Sequence, residues 1–573
     1  MQDFESKVFP YRRSADQDAA APVRHPVVVV GAGPVGLALA IDLAQQGIDC
    51  VLLDDQTTLS NGSRAICFAK RTLDIFDRLG AGEEITSRGV VWHVGKVFFG
   101  DQLVYQFDLA PEGGHRRPAF INLQQYVVEG LLVDRALTLD KLDLRFGHRV
   151  EHVTQEEDRV DVEIGTPEGK YSIQAQYLVA CDGARSTVRT TLGLNTEGRV
   201  FRDRFLIADV RMRAPFPTER WFWFDPPFHR NQSALLHRQP NDIWRIDFQL
   251  GWDADPETEK APERVRARVA AMLGEGVEFD LVWVSVYTFA CQRMERFVHD
   301  RIIFAGDSAH GVSPFGARGA NSGIQDADNL AWKLAHVLDG IAPPSLIDTY
   351  HVERSAAADE NIRHSTRSTD FITPKSPVSR LFRDAALRLA KHYPFAQQII
   401  NSGRLSRATD LCASPLTASS AGWPGLALPG TVCEDAPLIC EGKPCWLLGL
   451  LGGRFSLLLF AASDEALGRA QLEALETIRS ALPVALDSVV IIDAKATPMR
   501  AAHESPLSLI AEDCEGLARR RYGAPPGGLL LIRPDQYIVA SYPDVTASGL
   551  LARVTEQVKR TLERNEELAC QAN

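Results

Sequence analysis

The stretch VVVVGAGPVG, residues 27–36, decides the fold. Four consecutive valines read as a buried parallel strand, and Gly31, Gly33 and Gly36 follow at once. The helical pattern LALAIDLAQQG comes next with Gly47 as its stop, and a second apolar strand, CVLLDD, ends at Asp54. Strand, glycine turn, helix, strand and acid in that order make a dinucleotide-binding unit. The glycines let the backbone approach a pyrophosphate, the helix N-terminus stabilises its charge, and Asp54 accepts from ribose hydroxyls.

Two further stretches share this strand-then-loop design. Residues 177–189, YLVACDGARSTVR, run from a buried strand into Asp182-Gly183 and a basic, hydroxyl-bearing helix start. Residues 306–326, GDSAHGVSPFGARGANSGIQD, follow the strand RIIFA, so Asp307 emerges at a strand's carboxyl end, where open α/β sheets bind ligands. Asp326 is expected to cap the helix DADNLAWKLAHVL.

In this order GAGPVG, CDGARS and AGDSAHGVSPFGARGAN resemble the class A flavin monooxygenases, the family of para-hydroxybenzoate hydroxylase and phenol hydroxylase, with some likeness to the 3-(3-hydroxyphenyl)propionate hydroxylases. The resemblance runs from residue 27 to Tyr350-x-x-Glu353-Arg354. It implies FAD as cofactor, NADPH or NADH as co-substrate, and hydroxylation of a phenolic or related aromatic ring by O2 through a flavin C4a-hydroperoxide. The residues it assigns to FAD are Gly31, Gly33, Pro34, Gly36, Asp54, Arg64, Gln125, Asp182, Gly306, Asp307, Gly316, Gly319, Ala320 and Asn321, with Gln124 an equally available amide. Asp307 is expected on the ribityl chain. The small residues Gly316, Gly319, Ala320 and Gly323 leave room for the isoalloxazine, and the amides of Arg318–Gly323 face its anionic edge. Pro314 and Phe315 line the reaction cavity. His310 reads as a structural histidine in the turn. Where the family often ends its second strand in Glu-Arg, this chain has Asp54-Asp55, which leaves NADPH and NADH both open.

The substrate side lies between the two later motifs. SALLHRQ (233–239) and DIWRIDFQL (242–250), joined through QPND, read as an antiparallel hairpin. Arg245, Asp247 and Gln249 alternate with Trp244, Ile246 and Phe248, so each set shares one face. The resemblance makes Arg245 a flavin contact and places Asp247 where para-hydroxybenzoate hydroxylase has a substrate-holding tyrosine. Arg238 is the expected anion anchor and Trp223, in RWFWFDPPFH, the expected ring-stacking residue.

Composition narrows the remaining classes. The chain has 573 residues, 45% hydrophobic and 24% charged, with net charge −12, which argues against nucleic-acid binding and an acidic membrane surface. Ten cysteines without a CxxC suggest reduced thiols and a cytoplasmic setting; the spacing of Cys440 and Cys445 suggests neither a redox pair nor a zinc site. No metal constellation is visible. The expected fold class is α/β: residues 1–25 a flexible arm, 26–400 a Rossmann-like FAD-binding body with an antiparallel substrate sheet mainly at 195–300, 401–430 a linker, and 431–573 an α/β domain. Leu-Ile-Arg-Pro-Asp at 531–535 resembles the thioredoxin-like tail of the phenol hydroxylase branch, for which homodimer contacts or support of the main body are the expected roles. Rival readings are a flavoprotein reductase without oxygen transfer, and an epoxidase or polyketide oxygenase on the same scaffold.

Overall fold

The computed structural model describes residues 7–60, 64–109, 112–214, 216–274, 276–400, 405–418, 422–425, 427–462, 465–482, 484–493 and 508–562. The chain forms two compact units: residues 1–111, 117–327 and 355–407 make the first, and 112–116, 328–354 and 408–573 the second. Residues 328–354 thus group with the C-terminal residues rather than with the body expected over 26–400.

The first unit is built on a largely parallel sheet. Val23–Val30 lies at its centre, flanked by Cys50–Asp54 and then Leu142–Phe146 on one side, and by Gly169–Ala180 and then Ile302–Phe304 on the other. Val27, Val28 and Val29 are wholly buried, as a strand covered on both faces requires. The chain leaves the central strand in opposite lateral directions, so the crevice beyond Val30 and Ala180 is a topological switch point. All three loops read from the sequence open at this edge. The described part of the N-terminal arm makes contacts with the sheet: Phe9 stacks on Phe146 at 4.4 Å, and Asp16 pairs with the buried Arg145 at 2.7 Å.

An eight-stranded sheet in the same unit runs Gln102–Asp108, Val94–Phe99, Arg220–Phe224, Ser233–Arg238, Ile243–Leu250, Thr196–Met212, Phe279–Met294 and His310–Gly311. The expected hairpin is present, and Asn241 and Asp242 both take positive φ, the conformation a tight two-residue turn demands. One face packs Trp244, Ile246 and Phe248 with Trp223, Leu236, Val265 and Val269. The opposite face packs Phe205, Phe222, Leu235 and Phe289 with Phe315.

The second unit contains a seven-stranded mixed sheet. Ser456–Phe460 lies parallel to Asp487–Asp493, itself parallel to Ser508–Asp513, and antiparallel to Gly528–Ile532 on its other side. Helices Glu465–Ala481 and Leu550–Leu562 cover it. CWLLGLL, expected as a strand, is one only through Trp446; Leu447–Leu450 winds into a 3₁₀ turn. Cys440 and Cys445, whose spacing suggested neither a redox pair nor a zinc site, form a disulfide across the hairpin Pro437–Cys440/Lys443–Trp446, because the turn brings their Cα atoms to 6.1 Å.

Candidate active site

At the first loop the three glycines do three different jobs. Gly31 has φ +102, and a Cβ there would meet Cys181 O at 2.6 Å; a Cβ on Gly36 would lie 2.0 Å from Gly31 O. Both are demanded by the protein's own backbone. A Cβ on Gly33 would have nothing within 4 Å, so its smallness serves something that approaches from outside. Gly33 is also the N-cap of Pro34–Gln45, a helix end with no side-chain cap of its own. Asp54 braces the turn by accepting from Ala32 N–H at 2.6 Å and Gln56 N–H at 2.8 Å. Burial raises its carboxyl pKa against those two bonds, and a carboxylate has acceptor sites left for ribose hydroxyls.

The two amides expected near the flavin separate clearly. Gln125 is engaged on both ends: its Oε1 accepts from Ala65 N–H at 3.0 Å and its Nε2 donates to Glu129 at 2.8 Å. Gln124 is 3% exposed and its Nε2 has no hydrogen-bond partner among the described residues. Gln124 is therefore the better donor for a bound ligand, with Gln125 shaping the loop. Oδ1 of Asp182 is likewise shielded and unpartnered, while its Oδ2 accepts from Val188 N–H at 3.2 Å. Burial raises the Asp182 carboxyl pKa, opposed by bonds from Ser186 and Val188.

The third loop is tied to the second through Arg189, which donates to Ser308 O at 2.7 Å, and Ser308 Oγ, which donates to Ala180 O at 2.6 Å. Asp307 is open to solvent yet crowded by protein on its other sides. That crowding raises its carboxyl pKa, with His310 and Arg64 pulling it down. The helix begins at Gly319, seven residues before the expected start, so Asp326 lies inside it and caps nothing. Asp326 instead accepts from His310 Nε2 at 2.6 Å and Gly306 N–H at 3.0 Å, which gives His310 its structural place. Ser322 N–H makes a first-turn bond to Arg318 O at 2.7 Å, so the amides of Gly319 to Asn321 precede any intrahelical acceptor.

Several expected roles change. The Asn321 side chain is fully committed: it accepts from Ala69 N–H and Thr72 Oγ1 and donates to Cys67 O and Ala317 O. A Cβ on Gly323 would lie 2.6 Å from Val35 Cγ2, so packing rather than ligand room requires that glycine. A Cβ on Gly319 would meet nothing closer than Val312 Cγ2 at 3.8 Å, and Ala317 holds φ +52, a strained conformation of the sort that collects at functional loops. Phe315 is buried edge-on against Phe205 at 4.8 Å and Phe289 at 5.7 Å, while Pro314 is exposed.

On the sheet, Arg245 is held by a buried bidentate pair with Asp209, at 2.8 and 2.9 Å. Register puts His237 and Asp209 beside Arg245, and Trp283 beside Asp209. Trp221 pairs with Leu236, so Arg220 joins His237 in the same row. Trp223 aligns with Ala234, which aligns with Phe248, and Arg238 aligns with Trp244. Trp223 and Arg238 therefore lie on the face opposite Arg245 and Asp247, away from the expected substrate side. Arg220, which the sequence reading passed over, takes that side: it is 8% exposed and its Nε has no hydrogen-bond partner among the described residues. Asp247 Oδ1 is buried without one too. Burial, with Asp209 adding and Arg245 and Arg220 opposing, raises the Asp247 carboxyl pKa to about 6.

The open Gly33 at a bare helix N-terminus, the unpartnered Gln124 amide and the unpartnered Asp182 carboxylate oxygen supply donors and an acceptor of the kind FAD needs. No described helix is long and apolar enough to cross a membrane. Among the described residues no group of three or more His, Cys, Asp and Glu is placed to hold a metal ion.

Comparison with known proteins agrees with that donor set. The family described as "FAD binding domain" matches residues 24–365. The 3-(3-hydroxy-phenyl)propionate/3-hydroxycinnamic acid hydroxylase of Shigella sonnei (strain Ss046) is 31% identical over 373 residues, 64% of this chain and 66% of its own length. The fold is shared with the flavin-dependent monooxygenase PieE, crystallised with FAD and substrate, at TM-score 0.78 and 22% identity over 95% of this chain and all of that one. OxyS anhydrotetracycline hydroxylase from Streptomyces rimosus matches at TM-score 0.67 and 26% identity, over 94% of this chain and 99% of its own. The chain belongs to the FAD binding domain family, and FAD is its cofactor.

Proposed function

We propose that the chain is an FAD-dependent monooxygenase that uses NADPH or NADH and O2 to hydroxylate a small phenolic substrate. The observation that carries this reading is the substrate-side sheet face. Arg220, Arg245 and Asp247 lie there beside the aromatic cluster of Phe205, Phe289 and Phe315, in the same unit as the three FAD loops. Bound and reduced FAD supplies the activation of O2 that no side chain here can provide.

The protein's own residues do the rest. Gly33 and the helix at Pro34 take the pyrophosphate, Asp54 the adenosine ribose, Asp307 the ribityl chain, and Gln124 and Asp182 further polar edges. The amides at Gly319–Asn321, which have no intrahelical acceptor, would offer fixed donors to negative charge on the reduced ring at no reorganisation cost. Arg245, immobilised by Asp209, has its Nη1 3.4 Å from Arg64 O and would add a fixed positive charge at the flavin site. Phe315 and its neighbours keep the cavity apolar, which shields reactive oxygen from water. The reductase alternative needs none of this enclosed aromatic face. The second unit is read as a thioredoxin-like support without redox chemistry, since it has no CxxC.

Asp307→Ala is expected to raise the Kd for FAD by roughly 10- to 100-fold, the worth of a charge-assisted hydrogen bond of about 1.5–3 kcal/mol. Fluorescence titration of the apoprotein measures it, and unaltered affinity removes Asp307 from the ribityl role. The activity itself is tested on FAD-loaded protein with each nicotinamide cofactor and a panel of phenols. Substrate-stimulated cofactor oxidation with a hydroxylated product supports the reading. Oxidation that reduces an added acceptor, with no hydroxylated product, supports the reductase.

A further inference from the structure

We infer that Asp247 is the base that takes the hydroxyl proton of the phenolic substrate, and that Arg220 is the cation that holds the resulting phenolate. The inference rests on the hydroxylase reading above. It identifies a proton acceptor at a site where Arg245 alone gives only positive charge.

Geometry carries it. Asp247 and Arg245 are two apart on one strand and share a face. Arg245 is consumed by its bidentate pair with Asp209. Asp247 has no such partner: Oδ1 is shielded from solvent and accepts nothing from the described residues. Arg220 sits two strands away on the same face, with a buried Nε that donates to nothing among them. An unsatisfied buried carboxylate oxygen and an unsatisfied buried guanidinium NH on one aromatic-lined face call for a ligand that donates to one and accepts from the other. A phenol does both in sequence. Its O–H proton passes to Asp247 Oδ1, the O–H bond breaks, the carboxylate becomes neutral, and the negative charge appears on the phenol oxygen beside Arg220. The electron-rich phenolate is the better acceptor of an electrophilic oxygen atom. Asp247, only partly buried as a residue, returns the proton to solvent between turnovers.

The surrounding charges support the assignment. Asp247 is faced by Arg245 on its own strand, Asp209 on the adjacent strand, Arg220 two strands away, and Cys67. Burial pushes the Cys67 thiol up to about 11 and, with Arg220 and Arg245, holds His237 well below its ordinary value, so neither competes as base or charge. The Asp247 carboxyl near 6 is ionised at neutral pH yet more basic than an ordinary aspartate.

The test is the pH profile of kcat/KM for FAD-loaded full-length protein, with a phenol that the wild type hydroxylates. Wild type is expected to show an acidic limb at the Asp247 titration. Asp247→Asn should lower kcat by about 100-fold or more and abolish the limb, and Asp247→Glu should restore part of both. Arg220 lowers the Asp247 pKa, so Arg220→Gln should move the limb to higher pH. Arg238→Gln, on the opposite face, should leave it in place. An Asp247→Asn enzyme that keeps the wild-type rate and limb overturns the base assignment. If that variant fails to bind FAD or fold, the Arg220→Gln limb decides, and an unmoved limb overturns the proposal. A wild type that hydroxylates no phenol removes the hydroxylase reading itself, a separate outcome.

Discussion

Gly33→Ala is expected to give a folded protein that has lost FAD, and Gly36→Ala a protein whose fold itself is weakened. The two positions sit three residues apart in one motif, yet what surrounds them differs. A methyl group at Gly33 meets no protein atom within 4 Å and projects in front of the helix N-terminus, where a pyrophosphate must come close. The melting temperature should stay near wild type while the Kd for FAD rises by at least tenfold, about 1.4 kcal/mol. At Gly36 the methyl would lie 2.0 Å from Gly31 O, a backbone atom that cannot swing aside. The glycine turn must move, at an expected cost of about 1–3 kcal/mol, with FAD lost as a consequence. Thermal unfolding of the apoproteins together with flavin titration separates the two. Equal melting temperatures for both variants would contradict the packing assignment.

The second large effect lies in the C-terminal unit. Glu353 is fully buried and binds Arg533 at 2.6 Å, Lys333 at 2.7 Å and Asn329 at 2.7 Å, while Arg533 also pairs with Asp535. Burial alone would raise the Glu353 carboxyl, but the Arg533 and Lys333 charges outweigh it and hold the carboxyl well below its ordinary value. A depressed folded pKa means the carboxylate stabilises the fold above the ordinary glutamate pKa of 4.5, and that contribution drains away as pH falls below it. Lys333 is pushed down to about 8 by burial, with Glu353 opposing. Stability should therefore rise as pH climbs from there towards the ordinary lysine value of 10.5. Glu353→Gln leaves buried Lys333 without its carboxylate and Arg533 with Asp535 alone, and should cost about 3–5 kcal/mol. Lys333→Met removes a charge that burial already disfavours and should cost less. Calorimetry of the two variants checks the order, and a Glu353→Gln protein as stable as wild type would contradict it.

Much of the fold was readable because the signals are local. The valine run, the glycine turn and the acid at 54 are set by nearest-neighbour geometry, and each landed where its spacing put it. Within the hairpin, alternation also assigned Arg245 and Asp247 to one face. Alternation cannot say which parity of a neighbouring strand joins that face. RWFWF offers Arg220, Phe222 and Phe224 or Trp221 and Trp223, and only cross-strand register makes the choice. Trp223 and Arg238 were misplaced for this reason, and Arg220 was missed. Gln124 and Gln125 differ only in what they touch: Glu129, four residues on along the helix, takes one amide and leaves the other. Asp326 looked like a cap because the loop before it is rich in small residues, yet the helix starts inside that loop at Gly319. Cys440 and Cys445 meet through a hairpin whose short strands carry little alternation.

Oxygen transfer to a phenolic ring at this flavin site can be followed by incubating FAD-loaded protein with reduced nicotinamide cofactor, an accepted phenol and isotopically labelled O2, then tracing the label by mass spectrometry. One labelled oxygen atom is expected in the ring-hydroxylated product for each nicotinamide oxidised. Cofactor oxidation that leaves the product unlabelled, with all label in peroxide or water, would contradict it.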